Sequence, residues 1–297
     1  MKVFVTGASG FVGSKLVPRL EAVGHTAIGV DREVDVTDRA SIAAALRRCR
    51  PDAVVHLAAM SSVAQSWREP ERCHQLNFGG TKNLLTAAGE VCPDARILLI
   101  GSADQYPATR PRDRGFDEDT PLSPRSPYAR AKTAAEFLGR EAALRGQDVV
   151  RVRAFNHTGR GQSDHFVASS FARQAAAIHA GRQEPVLRVG NLDSVRDFLH
   201  VDDVLEAYLA LLDRGVPADV YNVASERGVS MRELLERLLE MAKVEPRLEI
   251  DPERYRPTDW SVGDASKLRR VTNWRPRISL DALLRELYED WLERDAR

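Results

Sequence analysis

The sequence predicts an α/β fold, a doubly wound parallel sheet followed by a smaller C-terminal α/β lobe. Three observations indicate it. Short β-branched segments alternate with longer amphipathic segments in the first half of the chain, at the spacing typical of βαβ units. A glycine-rich turn follows the first β-branched segment directly. After about residue 155 the alternation becomes irregular, which favours a second, smaller lobe.

The first half is predicted to build the sheet. Five segments rich in β-branched and aliphatic residues are predicted strands: Lys2–Thr6, Thr26–Val30, Ala53–Leu57, Ala95–Ile100 and Val149–Arg153. Four segments between them space apolar residues three or four apart and are predicted helices: Phe11–Val23, Arg39–Arg48, Glu71–Glu90 and Tyr128–Arg145. Crossover helices of this kind bury both faces of a parallel sheet.

The second half is predicted to cap the sheet. Helices are predicted at Phe166–Gly181, Val204–Leu212, Met231–Ala242 and Leu280–Leu292, with a strand at Val220–Ala224. We expect residues 1–160 to form the first domain, with segments near 191–222 returning to it, and residues 161–297 to form mainly the second lobe. Ligands of doubly wound folds bind at the C-terminal edge of the sheet, which this lobe is predicted to cover.

Composition and charge exclude several classes of protein. Of the 297 residues, 43% are hydrophobic and 29% charged, which is typical of globular proteins and argues against disorder or a coiled coil. The 43 Lys and Arg balance the 43 Asp and Glu, so no overall field attracts nucleic acid or an anionic membrane. The basic stretch at residues 110–114 is short and is followed by acidic residues, which favours a solvated loop.

Location and metal content follow from two further patterns. No apolar run near the N-terminus is long enough for a signal peptide or a membrane span, so we expect a cytoplasmic protein. The three cysteines lack CxxC or Cys/His ligand spacing, so we expect neither a disulfide framework nor a metal site.

The glycine-rich turn predicts a dinucleotide site. Gly7, Gly10 and Gly13 form a GxxGxxG pattern that ends the first strand and opens the first helix, with Phe11 and Val12 inside it. Such glycines permit a tight turn and a close backbone approach to a diphosphate, while the helix start supplies partial positive charge. We therefore expect a Rossmann domain that binds NAD(P)H through these five residues.

Asp31 is predicted to read the cofactor ribose. It ends the second strand, where a carboxylate accepts from a ribose 2′-hydroxyl and repels a 2′-phosphate, which favours NADH. Arg32 could instead hold a 2′-phosphate, so NADPH stays open. Five more residues lie where this fold contacts adenine and ribose, with ordinary loop packing as the alternative: Asp35, Val36, Leu57, Ala58 and Ala59.

Ser102, Tyr128 and Lys132 are the predicted catalytic residues. Tyr128 and Lys132 are four apart on a predicted helix and share a face, whereas Ser102 follows the fourth strand. A phenol of pKa about 10 is a poor base, so we expect Lys132 and a cationic nicotinamide to lower the pKa of Tyr128. An ordinary surface pair is the alternative for a lone tyrosine and lysine.

Together these motifs resemble the extended short-chain dehydrogenases/reductases of the nucleotide-sugar branch. The similarity runs through GASGFVG, HLAA, NFGGTKNL, SPYARAK and RPTDWSVGDASKL, nearly the whole chain. It implies bound NAD(P), with Phe155 added to its contacts, and a C-terminal sugar-nucleotide lobe. It also implies a homodimer formed through a four-helix bundle.

Two later stretches, residues 154–174 and 190–198, resemble the GDP-6-deoxy-4-keto-D-mannose reductases and the GDP-mannose 4,6-dehydratases. The resemblance implies that Asn156 meets the sugar diphosphate and that Val167 and Asn191 lie near the base. Arg196 and Arg256 would clamp phosphates, with surface ion pairs as the alternative. The resemblance also adds Ser62, Gln105 and Arg173 to the substrate contacts.

Ala103 and Asp104 favour reduction over dehydration. The dehydratases place a threonine at position 102 and a glutamate at position 104, and Asp104 is one methylene shorter, a difference that can cost about 100-fold in rate. Asp104 could instead bind a sugar hydroxyl.

The predicted reaction is NAD(P)H-dependent reduction of the 4-keto group of GDP-4-keto-6-deoxy-D-mannose to GDP-D-rhamnose, with Tyr128 as proton donor. Pro107 and Arg160 depart from the family pattern beside the sugar site. A 4,6-dehydratase, a carbon-4 epimerase and a non-catalytic NAD(P)-sensing regulator are the alternatives.

Overall fold

The computed structural model describes residues 1–109, 114–252 and 257–294. Its strands, numbered along the chain, are β1 Lys2–Thr6, β2 Thr26–Val30, β3 Ala53–His56, β4 Arg96–Ser102, β5 Val149–Ala154, β6 Asn156–Thr158, β7 Val186–Val189, β8 Val195–His200, β9 Val220–Val223, β10 Gly228–Ser230, β11 Arg247–Ile250 and β12 Trp260–Ser261. Its α-helices are α1 Gly13–Ala22, α2 Arg39–Cys49, α3 Val63–Arg68, α4 Pro70–His74, α5 Gly80–Val91, α6 Pro127–Leu144, α7 Val167–His179, α8 Val201–Arg214, α9 Met231–Ala242, α10 Ser266–Thr272 and α11 Leu280–Arg294.

The main sheet confirms the predicted doubly wound α/β fold. Within the described residues its strand order is β2-β1-β3-β4-β5-β9, and every adjacent pair is parallel. β3 and β5 are buried along their whole length because helices cover both faces of the sheet. The carboxyl ends of these strands therefore meet at one edge, where loops can gather functional groups.

The C-terminal lobe forms at that edge around β8. β8 pairs with β10, β12 and β6, and the last of these follows directly after β5. Helices α7, α9 and α11 enclose a separate apolar cluster that includes Phe171, Leu234 and Leu284. β9 returns to the main sheet beside β5.

The helix predicted at Glu71–Glu90 is interrupted. A π-helical turn at Gln75–Gly79 separates α4 from α5. Inside it, the buried Asn77 amide pairs with Met60, accepting from its N–H at 2.8 Å and donating to its carbonyl at 3.0 Å. The turn thus ties this helical segment to the loop that follows β3.

Two observations concern membranes and metals. No helix of the described chain combines the length and apolarity that a membrane span requires. Across residues 1–109, 114–252 and 257–294, no three His, Cys, Asp or Glu side chains are grouped as metal ligands.

Candidate active site

The turn between β1 and α1 has the shape of a diphosphate cradle. Gly7 has φ +68°, and a Cβ there would lie 2.8 Å from the Ala58 amide nitrogen. A Cβ on Gly13 would lie 2.2 Å from the Gly7 carbonyl oxygen, so only glycine fits at either position. Val12 occupies the N-cap of α1, and its apolar side chain cannot accept from the N–H groups of the first helical turn. Those groups can therefore face an anion.

Gly10 and Phe11 complete the cradle. The Gly10 N–H donates to the Gly7 carbonyl at 3.1 Å, and the Phe11 ring stacks on His157 with centroids 6.5 Å apart. A backbone cradle at a helix start fits the diphosphate of a dinucleotide.

Asp31 lies against the same turn. Its carboxylate accepts from the Ser9 backbone N–H at 3.0 Å and from the Ser9 hydroxyl. These bonds, the hydroxyl foremost, hold the pKa of Asp31 below its usual range, and the charge of Arg32 acts in the same direction. An ionised carboxylate thus lies beside the cradle, and an exposed guanidinium follows it in sequence.

The other predicted cofactor residues lie in two loops near the cradle. The Asp35 carboxylate accepts from the Thr37 N–H and hydroxyl at 2.8 and 2.7 Å. The Ala58 N–H donates to the Thr6 hydroxyl at 3.2 Å, which folds the end of β3 over the glycine turn. Leu57, Ala58 and Ala59 follow β3 and are half-buried. The side chain of Val36 is buried.

Ser102 ends β4 and caps the short 3₁₀ turn Ala103–Gln105. Its hydroxyl accepts from the Asp104 N–H at 3.2 Å and lies close enough to the Tyr128 phenol to act on its pKa. The turn arises from a capping box, because the Gln105 side chain returns to the Ser102 N–H. Ser102 is therefore held from both its backbone and its side chain.

Tyr128 and Lys132 lie on the first turns of α6, which Ser126 caps through the Ala129 N–H at 3.1 Å. Both side chains are buried, and the Lys132 Nζ donates to the Ile100 carbonyl at 2.8 Å. The end of β4 thus contacts both residues, and the predicted catalytic trio is brought together.

The pKa of Tyr128 differs from the expectation. Burial raises the pKa of its phenol, the nearby Asp104 charge raises it further, and the nearby Ser102 hydroxyl opposes both. Burial also lowers the pKa of Lys132 to about 8. At neutral pH the phenol is thus protonated and most of the lysine is charged, which suits a proton donor.

Asp104 extends from the 3₁₀ turn toward the C-terminal lobe. Its side chain is exposed, the surrounding protein raises its pKa by desolvation, and the Arg196 charge opposes that shift. Arg196 forms a two-pronged ion pair with Asp259, one contact being 2.7 Å from Nη2 to Oδ2. Arg125 lies 3.6 Å from the same carboxylate.

The remaining predicted substrate residues lie on several different elements of the chain. The Asn156 amide donates to the Asp197 carbonyl at 3.2 Å, and the Asn191 amide donates to the Thr258 hydroxyl at 2.8 Å. Two others lie at helix starts, since Val167 is the exposed first residue of α7 and Ser62 caps α3. Arg173 forms an ion pair, with its Nε 3.0 Å from Asp164. Arg256 lies outside the described residues.

Two predicted contacts require correction. Gln105 is fully buried and both atoms of its amide bond to the protein, so it offers no surface to a substrate. The Phe155 ring is 1% exposed and packs against Gly263 in the core, so it offers no surface to a cofactor.

Sequence reasoning missed a buried polar network beneath Ser102. Glu136 accepts from the Gln105 amide at 2.6 Å and from the Arg153 Nε and Nη2 at 2.9 and 2.6 Å. Arg153 also donates to the Tyr106 hydroxyl at 2.8 Å, which donates to the Asn222 amide oxygen at 2.8 Å. A glutamate one helical turn after Lys132, on the same face of α6, was the available signal.

Comparisons with known proteins match nearly the whole chain. A family model described as GDP-mannose 4,6 dehydratase matches residues 32–287. GDP-6-deoxy-D-mannose reductase of Pseudomonas aeruginosa is 39% identical over 299 residues, covering 99% of this chain and 98% of the relative. The structure of RMD from Pseudomonas aeruginosa complexed with NADPH has a TM-score of 0.92 at 38% identity and covers 99% of each chain. UDP-glucose 4-epimerase of Thermus thermophilus, solved in complex with NAD, has a TM-score of 0.88 at 29% identity and covers 98% of this chain and 99% of its own.

Proposed function

This chain belongs to the GDP-mannose 4,6 dehydratase family, within the extended short-chain dehydrogenases/reductases that its motifs resemble, and from that membership we propose that it is an NAD(P)H-dependent GDP-sugar reductase. Its substrate is GDP-4-keto-6-deoxy-D-mannose and its product is GDP-D-rhamnose. The relative named GDP-6-deoxy-D-mannose reductase, similar along nearly its whole length, supports this assignment.

The contact between Ser102 and Tyr128 carries the proposal. Reduction of a ketone adds a hydride to carbon and a proton to oxygen. A bound reduced nicotinamide supplies the hydride. The protonated Tyr128 hydroxyl donates its proton to the carbonyl oxygen, and the Ser102 hydroxyl stabilises the developing negative charge by donating a hydrogen bond. The Lys132 ammonium favours the phenolate that remains.

Asp104 favours reduction over dehydration. Dehydration also requires an acid–base group that removes a proton beside the carbonyl and returns one to the departing hydroxyl. The exposed Asp104 is one methylene short of the expected glutamate, and ketone reduction has no use for such a group. Asp104 instead accepts a hydrogen bond from a sugar hydroxyl in this proposal.

The two lobes divide the binding. Residues 1–160 hold the cofactor through the glycine cradle and the loops after β2 and β3, and residues 161–297 mainly hold the sugar nucleotide. Arg196 supplies a guanidinium fork for phosphate, while Asn156 meets the diphosphate and Asn191 the base. Asp31 favours NADH, since an ionised carboxylate repels a 2′-phosphate. Arg32 and the relative solved with NADPH make NADPH the alternative.

The enzyme is a homodimer in this proposal, built from α5 and α6 of each subunit. α6 exposes Phe137 and Leu144, which are 54% and 74% accessible and lie two turns apart. Such an apolar stripe on a surface helix is typical of a partner-binding face. Sedimentation should give a dimer, and Phe137→Asp combined with Leu144→Asp should give a monomer.

The decisive experiment is incubation with GDP-4-keto-6-deoxy-D-mannose and either NADH or NADPH. We expect the nicotinamide absorbance to fall and GDP-D-rhamnose to form. An unchanged absorbance would exclude the reductase. Conversion of GDP-mannose to its 4-keto product without net cofactor use would identify a dehydratase, and interconversion of carbon-4 epimers without added reductant would identify an epimerase.

A further inference from the structure

The Gln105 side chain links the backbone of Ser102 to helix α6. Its Oε1 accepts from the Ser102 N–H at 2.8 Å, and its Nε2 donates to the Glu136 Oε2 at 2.6 Å. Gln105 and Glu136 are buried, and Ser102 is half-buried. These two hydrogen bonds form the Gln105 bridge.

The far end of the bridge is fixed to the catalytic helix. Tyr128, Lys132 and Glu136 follow one another at four-residue intervals and share one face of α6. Arg153 holds both oxygens of the Glu136 carboxylate from β5, so the carboxylate has little freedom to move. A buried, fully paired acid is a rigid anchor.

The near end of the bridge lies beside Gly101. A Cβ on Gly101 would lie 2.6 Å from the Gln105 Oε1 and 2.6 Å from the Val152 carbonyl oxygen, so glycine at this position leaves room both for the bridge and for the neighbouring strand. The capping box alone needs only the contact to Ser102. The second contact, to Glu136, ties the turn that carries Ser102 to the helix that carries Tyr128.

We propose that Gln105 is a positioning residue, which sets the separation between the Ser102 and Tyr128 hydroxyls by bridging β4 to α6. It touches neither substrate nor cofactor and acts through the Ser102 backbone. Hydroxyls that must both reach one carbonyl oxygen tolerate little displacement, since about 1 Å can cost about 100-fold in rate.

The test compares Gln105→Met with Ser102→Ala in a double-mutant cycle, and this part rests on the proposed reductase activity. Methionine keeps the length of the side chain and removes both hydrogen bonds. We expect kcat to fall about 10- to 100-fold, with KM within about twofold of the parent. In the Ser102→Ala background the same substitution should have little further effect, because the hydroxyl that it positions is gone.

A matched control separates positioning from general damage. Gln174 is also buried, and its amide bonds to Ser170 and Arg188 in the C-terminal lobe. Gln174→Met should lower thermal stability and leave kcat unchanged. A Gln105→Met variant that raises KM at constant kcat, or loses the same factor with and without Ser102, would overturn the proposal.

Hydrogen exchange tests the bridge without any enzyme assay. The bridge can therefore be tested even if the protein shows no reductase activity. In the parent protein the Ser102 amide should exchange slowly. In Gln105→Met the exchange rate of the Ser102 amide should rise by a factor at least about ten times that seen for the neighbouring β4 amides. If Gln105→Met does not fold, Gln105→Asn keeps an amide that is one methylene too short to span both partners. Equal Ser102 exchange in the parent and in the folded variant would refute the bridge.

Discussion

The Ser102 hydroxyl lies close to the Tyr128 hydroxyl, although one residue ends a strand and the other lies in the first turn of a helix. Their pairing depends on the 3₁₀ turn that Ser102 caps and on the burial of the first turns of α6. Two hydroxyls this close at the C-terminal edge of the sheet could both donate to a single ligand oxygen, as the proposed function requires.

Replacing Tyr128 by phenylalanine should abolish turnover and preserve cofactor binding. The substitution removes the proton donor and leaves the cradle and Lys132 in place, so we expect kcat to fall at least about 100-fold. Nicotinamide absorbance gives the rate, and fluorescence titration with NADH or NADPH gives the binding. A variant that keeps more than about a tenth of the parent rate would exclude Tyr128 as the donor.

The choice between NADH and NADPH should depend on Asp31. The parent should have the higher kcat/KM with NADH, and Asp31→Ala should shift the ratio toward NADPH about fivefold, as expected for an exposed charge. Arg32→Ala is the paired variant and should shift the ratio toward NADH. A parent that strongly prefers NADPH would show that Arg32 sets the selectivity.

Gly13→Ala should destabilise the protein and abolish cofactor binding. The new methyl group would lie 2.2 Å from the Gly7 carbonyl and 2.7 Å from the Ala8 Cα, so the cradle has to open at a cost of about 3 kcal/mol. Gly79→Ala is the control, because its φ of −61° suits alanine and nothing lies within 4 Å of a Cβ there. It should raise the free energy of unfolding by about 0.5 kcal/mol. Denaturant unfolding measures the free energy of unfolding of both variants. Equal changes in that free energy for Gly13→Ala and Gly79→Ala would contradict the steric argument.

Activity and stability should respond to pH in opposite directions near pH 8. Burial lowers the pKa of Lys132 from 10.5 to about 8, whereas the pKa of Tyr128 lies above its ordinary value. As the pH rises through about 8 the ammonium is lost, so kcat should fall. Between pH 8 and 10.5 the unfolded chain binds the extra proton, so this residue's contribution makes stability rise with pH. Lys132→Met should lose both responses, and a parent kcat that stays constant to about pH 9.5 would contradict the assignment.

Periodicity in the sequence located the main sheet well. The strand predicted at Lys2–Thr6 and the helix predicted at Met231–Ala242 have those bounds in the structure. Several shorter elements were not predicted, among them β6, β10 and β12, which have three residues or fewer. Such short strands carry no alternation of their own and form because β8 lies alongside them.

The candidate site was predictable only where local spacing carried the chemistry. Tyr128 and Lys132 stood out because four residues on a helix define one face. The Ser-x-x-Gln spacing of residues 102–105 is a capping-box pattern, so it could have predicted that the Gln105 side chain bonds back to the Ser102 N–H. The partnership of Glu136 with Arg153 and Gln105 joins three separate elements, so no local pattern contains it.

The ion pair between Arg196 and Asp259 would make the proposed phosphate site selective. An anion that binds Arg196 has to replace the carboxylate of Asp259, so the net gain in binding free energy is only the difference between the two interactions. Free phosphate or sulfate therefore gains little there. A ligand that brings both an anion for Arg196 and a hydroxyl for Asp259 satisfies both halves of the pair at once. If Arg196 binds phosphate as proposed, the site would reject simple ions by competition and admit molecules that carry phosphate and hydroxyl groups together.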